Sequence, residues 1–122
     1  MTKAKILLAE DDVTMVSLLT TLLKMEGFNV VALQADDDVP AAVRREQPDA
    51  LLLDVHLLHQ SGFDILDTIR GAEDTASARV VMSSGSNVRE ECMNHGANGF
   101  LLKPYMPDEL IKILKQTIKS TQ

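Results

Sequence analysis

The residues best able to do chemistry in this chain each stand where an apolar run stops. Ala50-Leu51-Leu52-Leu53 runs directly into Asp54. Small and aliphatic residues followed by a carboxylate read as a buried strand that delivers one charged side chain at its end. Lys5 to Ala9 likewise runs into Glu10-Asp11-Asp12, Val80-Val81-Met82 into Ser83-Ser84-Gly85-Ser86, and Gly99 to Leu102 into Lys103-Pro104. If these strand ends converge, three carboxylates, Glu10, Asp11 and Asp54, crowd one pocket. Like charges so close raise one another's pKa unless a cation enters, and hard oxygen donors select Mg²⁺ or a similar ion such as Mn²⁺. A shallow divalent-metal site is expected. Lys103 and Ser84 facing a carboxylate and a divalent ion suit a transferred phosphoryl group, whose catalysis is mostly positioning and charge neutralisation. Asp54 is then the nucleophile, forming an aspartyl phosphate.

Each residue alone has a plainer explanation. Glu10-Asp11-Asp12 precedes a helical pattern, where acids favour the macrodipole and one of them, Asp12, can cap the helix. Lys103 singly is a lysine at the end of an edge strand, and Ser84 a loop serine. Asp54 resists this treatment, because a strand buried on both faces rarely ends in an acid without a partner.

The elements that must position these side chains follow from periodicity. Lys5 to Ala9 is a short strand, after which Met15, Leu18, Leu19 and Leu22 fall at helical spacing until Gly27 stops the helix. Phe28 to Leu33 reads as a second strand, and Asp38 caps a helix that turns Val39, Ala42 and Val43 inward, with Pro40 in its first turn. Pro48-Asp49 breaks the chain before the central strand that ends at Asp54. A loop, Val55 to Ser61, leads to a helix opened by Gly62 and carrying Ile65, Leu66 and Ile69 inward; Gly71 to Ala78 is a polar connection. Val80 to Met82 is the fourth strand, followed by a short helix from Val88 to His95 closed by Gly96. Gly99 to Leu102 is the fifth strand, and Pro107 opens a last helix with Leu110, Ile113, Leu114 and Ile118 on one face.

Five apolar strands alternating with five helices predict a parallel sheet covered on both faces, with right-handed crossovers. The expected fold is an α/β, flavodoxin-like doubly wound (βα)5 domain with a five-stranded sheet of order 2-1-3-4-5. In that order the strands ending at Ala9 and Asp54 are neighbours, and ligands lie beyond the carboxyl ends of the strands at the switch point.

With 122 residues, 45% of them hydrophobic and 25% charged, the chain reads as one domain over residues 1–122, large enough to bury a core without crosslinks. Its lone Cys92 allows no internal disulfide, and with no signal peptide this points to the cytoplasm. No apolar run approaches the ~20 residues of a bilayer span, so no membrane association is expected. A net charge of −6 argues against direct gripping of nucleic acid.

Taken together, Ile6 to Asp12, Leu51 to Asp54 with Gly62 beyond it, Val80 to Gly85, and Gly96 to Pro104 resemble the receiver domain of two-component response regulators, chemotaxis-type receivers included. The resemblance covers essentially the whole chain. It implies a phosphorelay in which a histidine kinase or histidine phosphotransfer protein donates a phosphoryl group to Asp54. It makes Asp11 and Asp54 metal ligands, Glu10 a ligand acting mainly through water, and His56 the residue whose backbone carbonyl completes the metal site. Ser84 matches the switch hydroxyl, with Ser83 the fallback, Lys103 the phosphoryl-binding lysine, and Phe100 the aromatic that turns inward when the hydroxyl moves. The Lys103-Pro104 bond is expected to be cis. His56 and Ser86 stand where side chains can set the phosphoryl lifetime. Phosphorylation would repack the surface of the fourth helix, fifth strand and fifth helix for partners to read.

The chain departs from the family at Leu58, where many receivers have proline, and between Ser84 and Gly96, a segment about one helical turn short. His59 and His95 read as solvated, and Cys92 as a buried small hydrophobe. The chain stops soon after the last helix, at Lys119 to Gln122, an ending expected of a stand-alone receiver or of a piece of a longer regulator with an attached effector. The protein is expected to be a switch that assists its own phosphorylation and dephosphorylation rather than a turnover enzyme, monomeric or dimerising on phosphorylation. Two other classes fit less well: a receiver-shaped interaction module that works without phosphorylation, and an aspartate-nucleophile phosphatase, for which His56 replaces the usual second acid.

Overall fold

The structure is a computed structural model and describes residues 3–34 and 36–119; Ser120 to Gln122, part of the ending noted above, lie outside the described residues. The elements in order are β1 (Lys5–Ala9), α1 (Val13–Met25), β2 (Asn29–Ala32), α2 (Val39–Glu46), β3 (Ala50–Asp54), β4 (His56–Leu57), β5 (Gln60–Ser61), α3 (Gly62–Gly71), β6 (Val80–Ser84), α4 (Arg89–Asn94), β7 (Gly99–Leu102) and α5 (Pro107–Lys119). The main sheet is parallel with order β2-β1-β3-β6-β7, the predicted 2-1-3-4-5 once the small β4-β5 hairpin is set aside.

The strict alternation of strand side chains divides the core into two layers. Ile6, Leu8, Ala50, Leu52, Val81 and Leu101 face α1 and α5, where they meet Leu19, Leu23, Leu110 and Leu114. Leu7, Leu51, Leu53, Val80, Met82 and Phe100 face α2, α3 and α4, against Val39, Ala42, Val43, Ile65, Leu66, Ile69 and Cys92. Each such large side chain, removed from water, contributes roughly 1.5–3 kcal/mol before chain entropy is counted. Asp12 and Asp38 are N-caps as their positions predicted, accepting the Met15 and Ala41 N–H groups at 3.1 and 3.0 Å. Gly27 and Gly96 take positive φ, 95° and 101°, to end α1 and to turn the chain after α4.

Four details differ from the periodicity. The Val55 to Ser61 loop contains an antiparallel hairpin, with His56 opposite Ser61 and Leu57 opposite Gln60. β6 runs on through Ser83 and Ser84, both buried, because ladder bonding to β7 continues past the apolar residues. On α5, Thr117 is buried while Ile113 and Ile118 are only half-buried. His95 is only partly solvated: its ring stacks on Phe63 of α3 at 4.7 Å, and its Nδ1 lies 2.7 Å from an Asp67 carboxylate oxygen.

Candidate functional site

The C-terminal edge of the sheet gathers the polar strand ends. Alternation carries Glu10 onto the same face as Ile6 and Leu8, Asp54 onto that of Ala50 and Leu52, and Lys103 onto that of Leu101. One period thus brings two acids and a lysine from β1, β3 and the end of β7 to one side of the sheet. β1 and β3 are hydrogen-bonded neighbours, so Glu10 and Asp54 stand next to each other, and Lys103 reaches them across β6.

The resulting contacts are short. Lys103 Nζ donates to Asp54 Oδ2 at 2.7 Å and to Glu10 Oε1 and Oε2 at 3.2 and 3.3 Å. The His56 N–H donates to Asp54 Oδ1 at 3.1 Å. Glu10 and Asp54 are each only 8% exposed. Carboxylate oxygens of Glu10, Asp11 and Asp54 all lie within 4.8 Å of one another. A group of hard oxygen donors at this spacing, partly open to solvent at Asp11, fits a divalent cation that keeps several waters.

Burial pushes the Glu10 carboxyl up to about 8, Asp54 adding to the rise and Lys103 opposing it. Burial by itself would also raise Asp54, but its hydrogen bonds with Glu10, Lys103 and the His56 N–H outweigh that cost and hold it below the ordinary carboxylate range. For Lys103 burial favours the neutral amine, and the hydrogen bond and charge of Asp54, reinforced by Glu10, reverse the balance and raise it. The metal-free site therefore holds an ionised Asp54, an ammonium and a carboxyl that keeps its proton.

The other predicted residues fall around this core. Ser84 is buried at the end of β6; its Oγ accepts the Ser86 N–H at 3.1 Å and its carbonyl accepts the Lys103 N–H at 2.8 Å. Ser83 lies opposite Asp54 in the β3-β6 register and, by alternation, on the Asp54 face, with Ser84 on the other. Phe100 is already turned into the core, 7% exposed, so its ring has no outward position to leave. The side chains of His56, His59 and Ser86 are exposed. Lys103-Pro104 is cis, as expected. Cys92 is fully buried and its thiol is pushed up to about 11, chiefly by burial, as suits a packed hydrophobe.

Two contributors escaped the sequence reading. Gly62 is more than a helix opener: a Cβ there would sit 2.5 Å from the Asp54 carbonyl oxygen and 2.8 Å from Val55 Cα. Only glycine lets the hairpin return so closely to β3, where the Gly62 N–H donates to the Val55 carbonyl at 2.7 Å. Tyr105, half-buried just beyond the cis bond, has its phenol pushed up to about 12 by burial, with Lys103 opposing and the charges of Glu10 and Asp54 adding to the rise. An aromatic directly after Lys-Pro at a strand end was the available signal. A shallow hollow of about 300 Å³ lined by Glu10, Asp11, Val13, Val16, Leu33 and Gln34 flanks the acids. Among the described residues no helix is long and apolar enough to cross a membrane.

The fold and site define a doubly wound α/β domain with an acidic trio and a lysine at the C-terminal edge of its parallel sheet. Comparison with known proteins gives the family. Residues 6–115 match the family described as response regulator receiver domain, and the chain belongs to that family. The transcriptional regulatory protein CpxR of Escherichia coli K12 is 32% identical over 115 residues, covering 94% of this chain and 49% of its own length. The chain spans about half the length of the curated relatives it matches. A sensor protein from Polaromonas sp. JS666 superposes with a TM-score of 0.85 at 25% identity, covering 99% of this chain and 100% of that one. The receiver domain of a sensor histidine kinase from Pseudomonas aeruginosa PAO1, solved with a magnesium ion coordinated in its active-site cleft, has a TM-score of 0.84 at 24% identity over 96% and 98% of the two chains. At that identity the likeness is one of fold.

Proposed function

We propose that this domain accepts a phosphoryl group on Asp54 from a phosphohistidine of a histidine kinase or phosphotransfer protein, and that the acyl phosphate so formed switches a partner-binding surface. An Asp54 carboxylate oxygen forms the new bond to phosphorus while the phosphorus–nitrogen bond of the donor breaks. The imidazole nitrogen leaves with the electron pair and takes up a proton from solvent. The observation that carries the reading is the contact of Lys103 Nζ with Asp54 Oδ2 at 2.7 Å beside two further carboxylates.

Asp11 and Asp54, with Glu10 acting mainly through water and the His56 carbonyl, are the residues that would hold Mg²⁺ or Mn²⁺. The bound ion neutralises charge on the transferring oxygens and orients them. Support for the His56 carbonyl comes from the hairpin. The Gly62 N–H bond to the Val55 carbonyl makes that pair a hydrogen-bonded one, so His56, one residue on, turns both its N–H and its C=O away from Ser61. Its N–H meets Asp54 Oδ1, and the carbonyl leaves the strand on the same edge. Lys103 supplies a fixed positive charge to the phosphoryl oxygens. Ser84 acts as the switch hydroxyl: it turns to donate its O–H to a phosphoryl oxygen and so releases the Ser86 N–H that its Oγ accepts at 3.1 Å. Because Phe100 starts inward, the change begins in the 84–88 loop rather than with rotation of that ring. The α4-β7-α5 surface is then read by a partner or by an effector domain, in keeping with relatives about twice as long. The acidic domain does not itself contact nucleic acid, acts in the cytoplasm, is a monomer or a phosphorylation-linked dimer, and does not turn over substrate.

The test is intact mass after incubation with Mg²⁺ and a small acyl phosphate, with Asp54→Asn in parallel. One phosphoryl group on the wild type and none on the variant is the expected result; an unchanged wild-type mass sinks the reading. Steady turnover of phosphomonoesters would favour a phosphatase instead. His56→Ala and Ser86→Ala should change the decay rate of the phosphorylated protein, and an unaltered rate in both removes them as lifetime determinants.

A further inference from the structure

The two ends of α4 are held very differently. At its start, Val88 caps the helix without a side-chain hydrogen bond, and the Arg89 N–H has only a long 3.5 Å contact with Asn87 Oδ1. The loop before it rests on the Ser86 N–H to Ser84 Oγ bond, the Val88 N–H to Ser86 carbonyl bond and the packing of half-buried Val88 on the core, and Gly85 faces open space. At its end the helix is fastened to α3 twice. His95 stacks on Phe63 and bonds Asp67 at 2.7 Å. Arg70 donates from Nε and Nη2 to the Gly96 carbonyl at 3.0 and 2.8 Å, and from Nη2 to Asn98 Oδ1 at 3.0 Å. Asn98 Oδ1 also accepts the Val80 N–H at 2.7 Å, which ties the fastening to the first residue of β6. Arg70 Nη1 holds the Ala76 and Ala78 carbonyls at 2.9 and 2.6 Å. The guanidinium spends its donors on this one junction.

We propose that α4 is a lever whose fulcrum is its C-terminal end, built by the positioning residues His95, Phe63, Asp67 and Arg70. A displacement that begins at Ser84 then swings the first turn of α4 while Gly96 to Asn98 stay fixed to α3. The inference rests on the phosphoacceptor reading of Asp54 for what drives the lever, though not for where it is hinged. A helix of six residues suits this role, since a pull on the Ser84 to Val88 loop reaches its whole length within two turns. The core end is fixed further by Cys92, fully buried, whose carbonyl accepts the Ala97 N–H at 3.0 Å.

The test is residue-resolved amide hydrogen exchange on the full chain, with and without Mg²⁺ and a small acyl phosphate, intact mass being read on the same samples. With the phosphoryl group added, exchange at Ser86 to Arg89 should rise about tenfold while amides from His95 to Asn98 change by less than about twofold. Before any phosphodonor is added, His95→Ala and the milder Asp67→Asn should both raise exchange at His95 to Asn98, leaving phosphoryl uptake at the wild-type level. His95→Phe, which keeps the stack and loses the bond to Asp67, should fall between. Equal change at both ends of α4 on phosphorylation overturns the lever, as does wild-type exchange at His95 to Asn98 in both variants. A sample that gains no mass counts against the phosphoacceptor reading, and the unphosphorylated variants still decide the fulcrum.

Discussion

The two edges of the sheet treat their polar side chains in different ways. At the N-terminal edge, among the described residues, Lys5, Asp49, Arg70 and Arg79 each meet partners within the fold. The Lys5 N–H bonds Asp49 Oδ2 at 2.7 Å, its ammonium meets Glu46, Arg79 reaches the Asp49 carbonyl, and Arg70 and Asn98 satisfy the strand starts and turns around them. At the C-terminal edge Glu10 and Asp54 share the Lys103 ammonium, and an Asp11 carboxylate oxygen lies within 4.8 Å of theirs. The first edge is closed by pairings spread along it; the second gathers its acids around a single lysine, and the phosphoacceptor proposal rests on that gathering. Carboxyl groups so crowded that one of them is pushed up to about 8 are a common mark of functional sites.

Asp54→Asn gives the largest expected contrast. It should abolish phosphoryl uptake by mass while changing the metal-free thermal midpoint little, because Glu10, relieved of the Asp54 charge, can ionise and keep Lys103 paired. A large loss of stability would mean that the edge is structural after all. Arg70→Ala should do the reverse. It strands the Gly96, Ala76 and Ala78 carbonyls and should cost about 2–4 kcal/mol in urea unfolding, with the folded protein still taking up phosphoryl.

The pH dependence sharpens the contrast further. Glu10 has an ordinary value of 4.5 and is held up at about 8 in the fold, so between these values the folded chain keeps a proton that the unfolded chain has released. Its contribution is fully present below 4.5 and is lost as pH rises through about 8. Metal-free stability should therefore fall from pH 5 toward pH 8, and Glu10→Gln should flatten that part of the profile. Asp54, held low, has the opposite sign, and its share is lost only as pH falls through its depressed value. Urea midpoints in chelator across this range check the slope, and a wild-type profile that rises would contradict the proton assigned to Glu10. The smallest effect belongs to the Arg44–Asp74 pair, where both side chains are about half exposed. Arg44→Ala should leave the thermal midpoint unchanged within error, since exposed pairs are screened and entropically costly.

Much of this was legible before any coordinates. Apolar runs ending in Glu10, Asp54 and Lys103 gave both the strands and the site, because a parallel sheet buried on both faces leaves its polar residues nowhere else to stand. Asp12 and Asp38 marked helix starts through local capping chemistry that acts over three residues. The hairpin at His56 to Ser61 was missed because two-residue strands have no period to read. Ser83 and Ser84 were cut from their strand because hydropathy cannot see a ladder bond. His95 looked solvated because its partners, Phe63 and Asp67, lie a whole strand away in sequence.

The sequence by itself determined what is local or periodic: the alternation of strands and helices, the two core faces, the caps, and the residue types a phosphoryl site needs. Tertiary structure alone decided which of those groups touch. That Lys103 bridges Asp54 and Glu10, that Phe100 already lies inward, and that Arg70 fastens one end of α4 all depend on contacts between residues 26 to 93 positions apart or on packing across layers. Such contacts are fixed by sheet order and register, which only the closed fold supplies.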